Sequence, residues 1–253
     1  LDQTVEWLNI CKARYKNTKP IITPRFIPSC TDELMLGLGE IRGDEYGLQS
    51  HLSENPAEIR WVSELCPDSK GYLDAYYKRG SLKKSRTGTI MAHCVYSDEA
   101  EMELLKEGDV YVAHCPQSNT ALASGIAPVR KFLDKGIKVG LGSDVAAGYS
   151  LNILNIAVEA MGVSKLYWRY VDNNSKPVEL CEAFFMATRG GGEYFKNMGA
   201  FEEGFEADAI VIDDSELNQN IHDNDIIKRV ERCIYLSDEC SLKAKYVCGE
   251  RII

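Results

Sequence analysis

No apolar run in this chain approaches the roughly 18–20 residues that a membrane-spanning helix needs. That absence argues against a membrane-spanning helix. A basic excess is also missing: 29 Lys and Arg stand against 38 Asp and Glu, for a net charge of −9 and a pI near 5.1. Such a surface has no electrostatic attraction for nucleic acid or anionic lipid. The nine cysteines, at 11, 30, 66, 94, 115, 181, 233, 240 and 248, include no C-x-x-C pair. This speaks against a zinc knuckle or a disulfide framework and for reduced, mostly buried thiols in a cytosolic protein. There is no repeat at a fixed period, no low-complexity stretch and no signal-peptide pattern, although the chain begins at Leu1. Histidine is scarce, with four residues at 51, 93, 114 and 222 and no two of them spaced two apart.

What remains is an ordinary globular composition, 45% hydrophobic and 26% charged, over 253 residues. Short apolar runs alternate with helical periodicity up to about residue 200. Strands are expected at 19–26, 47–51, 89–93, 109–115 and 138–144. Helices are expected over 1–15, 29–43, 55–65, 97–108 and 127–136, then over 151–170 and 177–188. Thr31 or Ser29 would cap the second helix, and Pro56 suits the first turn of the third. Strand-helix alternation implies parallel pairing through crossover connections. The tail from 199 reads as short strands and turns. The fold class expected is therefore α/β, a partial TIM-like (β/α) barrel over 1–200 with a C-terminal β-sandwich segment over 201–253. Five barrel-type strands fall short of eight, so the 19–26 and 138–144 strands should form the edges of the sheet.

Three apolar runs end in side chains that carry chemistry: "GLQSHLSE" at 47–54, "GTIMAHC" at 88–94 and "KVGLGSD" at 138–144. Parallel β/α folds gather such strand tips on one rim. His51 and Glu54 form an H-x-x-E, a pairing frequent by chance but suited to an imidazole ligand and a carboxylate proton shuttle beside a zinc-activated water. His93 is either a satisfied core histidine or a group that orients that water. Asp144 is either a helix cap or a metal ligand that accepts a proton. Arg25 and Phe26, at the tip of "IITPRF", offer a donor fork and a ring to a flat, acceptor-rich heterocycle. His114 precedes "CPQSN", which reads as a turn, so a structural part is the stronger reading there. His222 lies in a polar stretch and reads as a surface residue.

Taken in order, "TPRF", "SHLSEN", "MAHC", "VAHCPQSN" and "GLGSDVAAGYS" resemble the guanine deaminases of the metal-dependent amidohydrolase superfamily, and "GAFEEGFEADAIVID" resembles their C-terminal β segment. The chain is similar to about the C-terminal two thirds of such an enzyme. The resemblance implies hydrolysis of guanine to xanthine and ammonia. His51 and Asp144 would be metal ligands to one Zn2+ per subunit, with two further ligands, an H-x-H pair, upstream of this sequence. Glu54, His93 and Asp144 would be catalytic, and Arg25 and Phe26 would bind the purine. It further implies a small-molecule purine as partner, a homodimer and a cytoplasmic location. Rival readings are an aminohydrolase for 8-oxoguanine, a triazine or an adenosine derivative, and a non-catalytic scaffold relative. The H-x-E…P-C-x-x-C signature of the other zinc deaminase fold is absent.

Overall fold

In the computed structural model, which describes residues 1–82, 86–218, 225–238 and 241–253, five parallel strands lie side by side in chain order. Helix α1 (Asp2–Arg14) precedes β1 (Ile21–Ile22), and α2 (Asp32–Arg42) leads to β2 (Gly47–Leu52). Helices α3 (Pro56–Leu65) and α4 (Tyr72–Lys78) lead to β3 (Thr89–His93), and α5 (Glu99–Glu107) to β4 (Val110–His114). Then α6 (Pro116–Ala121) and α7 (Val129–Asp134) precede β5 (Val139–Leu141). Neighbours in sequence are neighbours in space, as in part of a (β/α) barrel, and β1 and β5 are the expected edges.

The helix starts follow local chemistry. Thr31 accepts from Leu34 N to cap α2, and Asn55 accepts from Ala57 N and Glu58 N ahead of Pro56 at the start of α3. Asp98 accepts from Glu101 N to cap α5, and the Ser97 hydroxyl donates to the Glu101 carboxylate at 2.7 Å. Along the strands the pleat separates two faces. Leu48, Leu52, Met91, Val110, Val112 and Val139 pack with Leu73, Met102, Leu105 and Phe132 from the helices. Gln49, His51, Ile90, Tyr111 and Ala113 alternate with them and are half-buried on the other face. At the N-terminal end of the sheet, the buried Arg42 donates to the carbonyls of Tyr46, Ser81, Thr87 and Gly88 and to Thr89 Oγ1, tying α2 to β2 and β3.

Four sequence expectations need correction. The strand over 19–26 is only two residues long, because Pro20 and Pro24 have no N–H to give a ladder. "CPQSN" is not a turn: Pro116 occupies the first turn of α6, where its missing N–H costs nothing. Residues 226–236 are not strand or turn but α10 (Ile226–Leu236), capped by Asp225 and burying Ile234. It follows α8 (Ile153–Tyr170), α9 (Leu180–Phe185) and β6 (Ala209–Ile212), and precedes β7 (Leu242–Val247) and β8 (Glu250–Arg251). The expected sandwich is, among the described residues, one three-stranded antiparallel sheet of β6, β7 and β8. Between β6 and β7 the described residues include α10.

The described cysteines are all free, and Cys11, Cys66, Cys94 and Cys115 are buried. Cys240 and His222 lie outside the described residues. No helix among the described residues is long and apolar enough to cross a membrane.

Candidate active site

A cleft of about 450 Å³ opens beyond the C-terminal ends of the strands. Arg25, Phe26, His51, Glu54, His93 and Asp144 all line it, together with Trp61, Leu122 and Ala147. The structure thus brings together every candidate site residue named from the sequence, from tips that lie up to 119 positions apart (25 to 144).

The carbonyl of Arg25 is the fixed point of the β1–β2 rim. It accepts from His51 N at 3.2 Å, from His51 Nδ1 at 2.7 Å and from Ser50 Oγ at 3.1 Å. Ser50 also contacts Tyr76 at 2.7 Å, and the Tyr76 hydroxyl donates to the His51 carbonyl at 2.8 Å. A carbonyl only accepts, so His51 carries its proton on Nδ1 and leaves Nε2 with a lone pair. Arg25 is exposed, with its guanidinium 5.5 Å from the centre of the Phe26 ring. Phe26 meets Trp61 edge-on at 6.2 Å.

His93 and His114 end adjacent strands yet differ in orientation, for a backbone reason. Both share the parity of the helix-facing residues Met91 and Val112. His93 has φ 73° and Cys94 φ 49°, which breaks the pleat, and the imidazole lies 5.0 Å from the His51 ring. Both are 1% exposed, but His93 lines the cleft, whereas His114 has no such φ, does not line it, and has neither ring nitrogen hydrogen-bonded among the described residues. Burial, with a smaller contribution from His93, pulls its pKa down to about 3. Further left-handed residues at the rim are Ser53 at 47°, Asp144 at 42° and Ala146 at 101°. Each costs on the order of 1–3 kcal/mol, and such residues cluster at functional sites.

Glu54 Oε2 lies 3.9 Å from His93 Nε2, and Glu54 Oε1 accepts from Ser124 Oγ at 2.9 Å. Its backbone N donates to Glu58, itself held by the Tyr72 hydroxyl at 2.6 Å. Asp144 starts a tight turn in which its carbonyl accepts from Ala147 N and Gly148 N, and the next helix begins only at Ile153. A helix-cap part for Asp144 is therefore excluded. Burial first, then the charge of Asp144, pushes the Cys115 thiol up to about 12, so it stays protonated. Sequence reasoning missed Asn119, Ser124 and Trp61; only the polar "CPQSN" run next to a strand-tip histidine pointed in their direction.

The donors fit a zinc ion in kind. His51 Nε2 is left free by a hydrogen bond at Nδ1, the usual arrangement of a metal-binding imidazole, and Asp144 brings an oxygen to the same cleft. In number the pair is one short of the three protein ligands of a catalytic zinc site. Among the described residues, three His, Cys, Asp or Glu donors converge at Glu206, Asp208 and Cys248. That group is remote from the cleft: Glu206 pairs with Lys19, ahead of β1.

Known proteins resemble the chain over most of its length. The guanine deaminase of Dictyostelium discoideum is 39% identical over 241 residues, which is 92% of this chain and 53% of that protein. The guanine deaminase of Mus musculus is 38% identical over 251 residues, covering 94% of this chain and 54% of that protein. The crystal structure of guanine deaminase from C. acetobutylicum with bound guanine superposes with a TM-score of 0.93 at 42% identity, covering 100% of this chain and 59% of that one. The chain spans about half the length of the curated relatives it matches, a smaller share than the two thirds its motifs suggest. The Amidohydrolase family model matches residues 7–247, and the chain belongs to that family.

Proposed function

We propose that the cleft is the active site of a zinc-dependent guanine deaminase, converting guanine and water to xanthine and ammonia. The observation that carries the proposal is the convergence of His51, Glu54, His93 and Asp144 with Arg25 and Phe26 in one cleft. The likeness to a guanine-bound guanine deaminase supports it. His51 Nε2 and the Asp144 carboxylate are the groups that would hold the zinc, which when bound acidifies water and polarises the atom under attack.

The chain's own residues then divide the work. Phe26 offers a face to the purine ring, and Arg25, exposed at the rim, donates to the carbonyl and ring-nitrogen acceptors of guanine. Glu54 takes a proton from the attacking water and returns it to the ring nitrogen beside the amine-bearing carbon. As that carbon–nitrogen bond breaks, the second water proton reaches the leaving amine, which departs as ammonia. His93 Nε2, 3.9 Å from Glu54 Oε2, faces the same reacting water and holds its orientation. A homodimer and a cytoplasmic location follow from the family likeness alone.

A substrate panel tests the assignment. The protein carrying this chain, loaded with zinc, should release xanthine from guanine and leave adenosine and a chlorotriazine unchanged. Release of ammonia from adenosine or chloride from the triazine, with none from guanine, would transfer the site to a different aminohydrolase reaction.

A further inference from the structure

Glu54, assigned to moving the proton, and His93, assigned to orienting the water, are both held from one short stretch of chain, residues 119–125. Asn119 lies on α6, 1% exposed, with Oδ1 2.9 Å from His93 Nδ1. An amide oxygen only accepts, so the Nδ1 proton of His93 is fixed there and Nε2 is the ring atom presented to Glu54. The backbone carbonyl of the same residue accepts from Ser124 N at 2.8 Å and from Gly125 N at 3.4 Å. This closes the turn after α6 and sets Ser124, 5% exposed, with Oγ 2.9 Å from Glu54 Oε1. The amide nitrogen of Asn119 is buried with no hydrogen-bond partner among the described residues. A purely packing side chain would avoid that cost, so the oxygen is the part of Asn119 that acts.

We propose that Asn119 is a positioning residue for His93, acting through its side-chain oxygen, while the backbone of the same turn carries Ser124 to Glu54. The inference rests on the assignment of Glu54 and His93 to the deamination. A histidine without a partner in water favours the proton on Nε2. Asn119 reverses that preference, so Nε2 is left with its lone pair facing the cleft. The left-handed backbone of His93 aims the ring, and Asn119 fixes which edge of it faces the cleft.

Nitrogen-15 spectra of the histidine side chains decide the point independently of turnover. The chain has four histidines, and His93→Gln identifies the signals of His93 by their loss. The expected result is a protonated Nδ1 on His93 in the wild type and in Asn119→Asp, whose carboxylate accepts the same proton. In Asn119→Leu the proton should move to Nε2. A bare Nδ1 with the proton on Nε2 in the wild type would overturn the proposal, and that spectrum needs no variant to fold. In turnover of guanine, Asn119→Leu should lower kcat about 10–100-fold with KM little changed, as outer partners of site histidines typically do. Asn119→Asp should recover most of the loss. Should the wild type form no xanthine, the deaminase reading fails, while the spectra still establish or refute the hold of Asn119 on His93.

Discussion

His93 and His114 show how one backbone angle assigns two like residues to different tasks. With φ 73° the first lines the cleft, and without a left-handed turn the second does not, although both are 1% exposed. Burial pulls the His114 pKa from 6.5 to about 3, so folded His114 stays neutral where the unfolded chain takes up a proton. Below pH about 6.5 the unfolded state binds more protons, and stability falls as pH falls, by about 1.4 kcal/mol per unit, until the folded pKa is reached. Between pH 6.5 and 5 the wild type should therefore lose about 2 kcal/mol more than His114→Leu, with both read by urea unfolding. The comparison removes the titrations that the two proteins share. Equal losses would mean that His114 is protonated in the fold. At this scale Arg25, Phe26, His51, Glu54, His93 and Asp144 were legible, because each ends an apolar run. Asn119 and Ser124 were not: they act on residues 26 and 70 positions away, and no local pattern encodes such contacts.

Elements were legible where hydrophobic period and cap agree, as in α2, α3 and β2 through β5. They were misread where a proline has two meanings. Pro116 starts α6 rather than ending a strand in a turn, and Pro20 and Pro24 shorten β1 to Ile21–Ile22. The amphipathic α10 was overlooked within a tail whose flanks are strands. At the β5 edge, glycine is required by close approach. A Cβ on Gly190 would lie 2.5 Å from the Val139 carbonyl oxygen and 3.2 Å from that of Phe185, both backbone atoms. Gly190→Ala should thus cost about 1–3 kcal/mol through overpacking. Gly162, exposed on α8, has no atom within 4 Å of its Cβ position, and Gly162→Ala should stabilise by about 0.4–1 kcal/mol. Thermal unfolding should shift in opposite directions for the two variants. A Gly190→Ala protein as stable as wild type would mean that the 186–190 turn does not press on β5.

Across the whole molecule, the chain order of the strands is what gathers the chemistry. Five parallel strands with neighbouring order put all their C-terminal tips on one rim, and a cleft of about 450 Å³ forms there. The order of motifs along the sequence made both the fold class and the family legible. The antiparallel sheet of β6, β7 and β8 was legible as β structure but not as a single sheet, since strand runs do not reveal how many layers they form. In the proposed reaction this rim deaminates guanine with Glu54 moving the proton. The most direct measurement is xanthine formation from guanine by the zinc-loaded protein carrying this chain, compared with its Glu54→Gln variant at equal zinc content. The amide keeps the shape of the side chain but cannot take the proton, so the rate should fall about 10²–10⁴-fold with bound zinc unchanged. A Glu54→Gln protein that forms xanthine at the wild-type rate would mean that Glu54 does not move the proton.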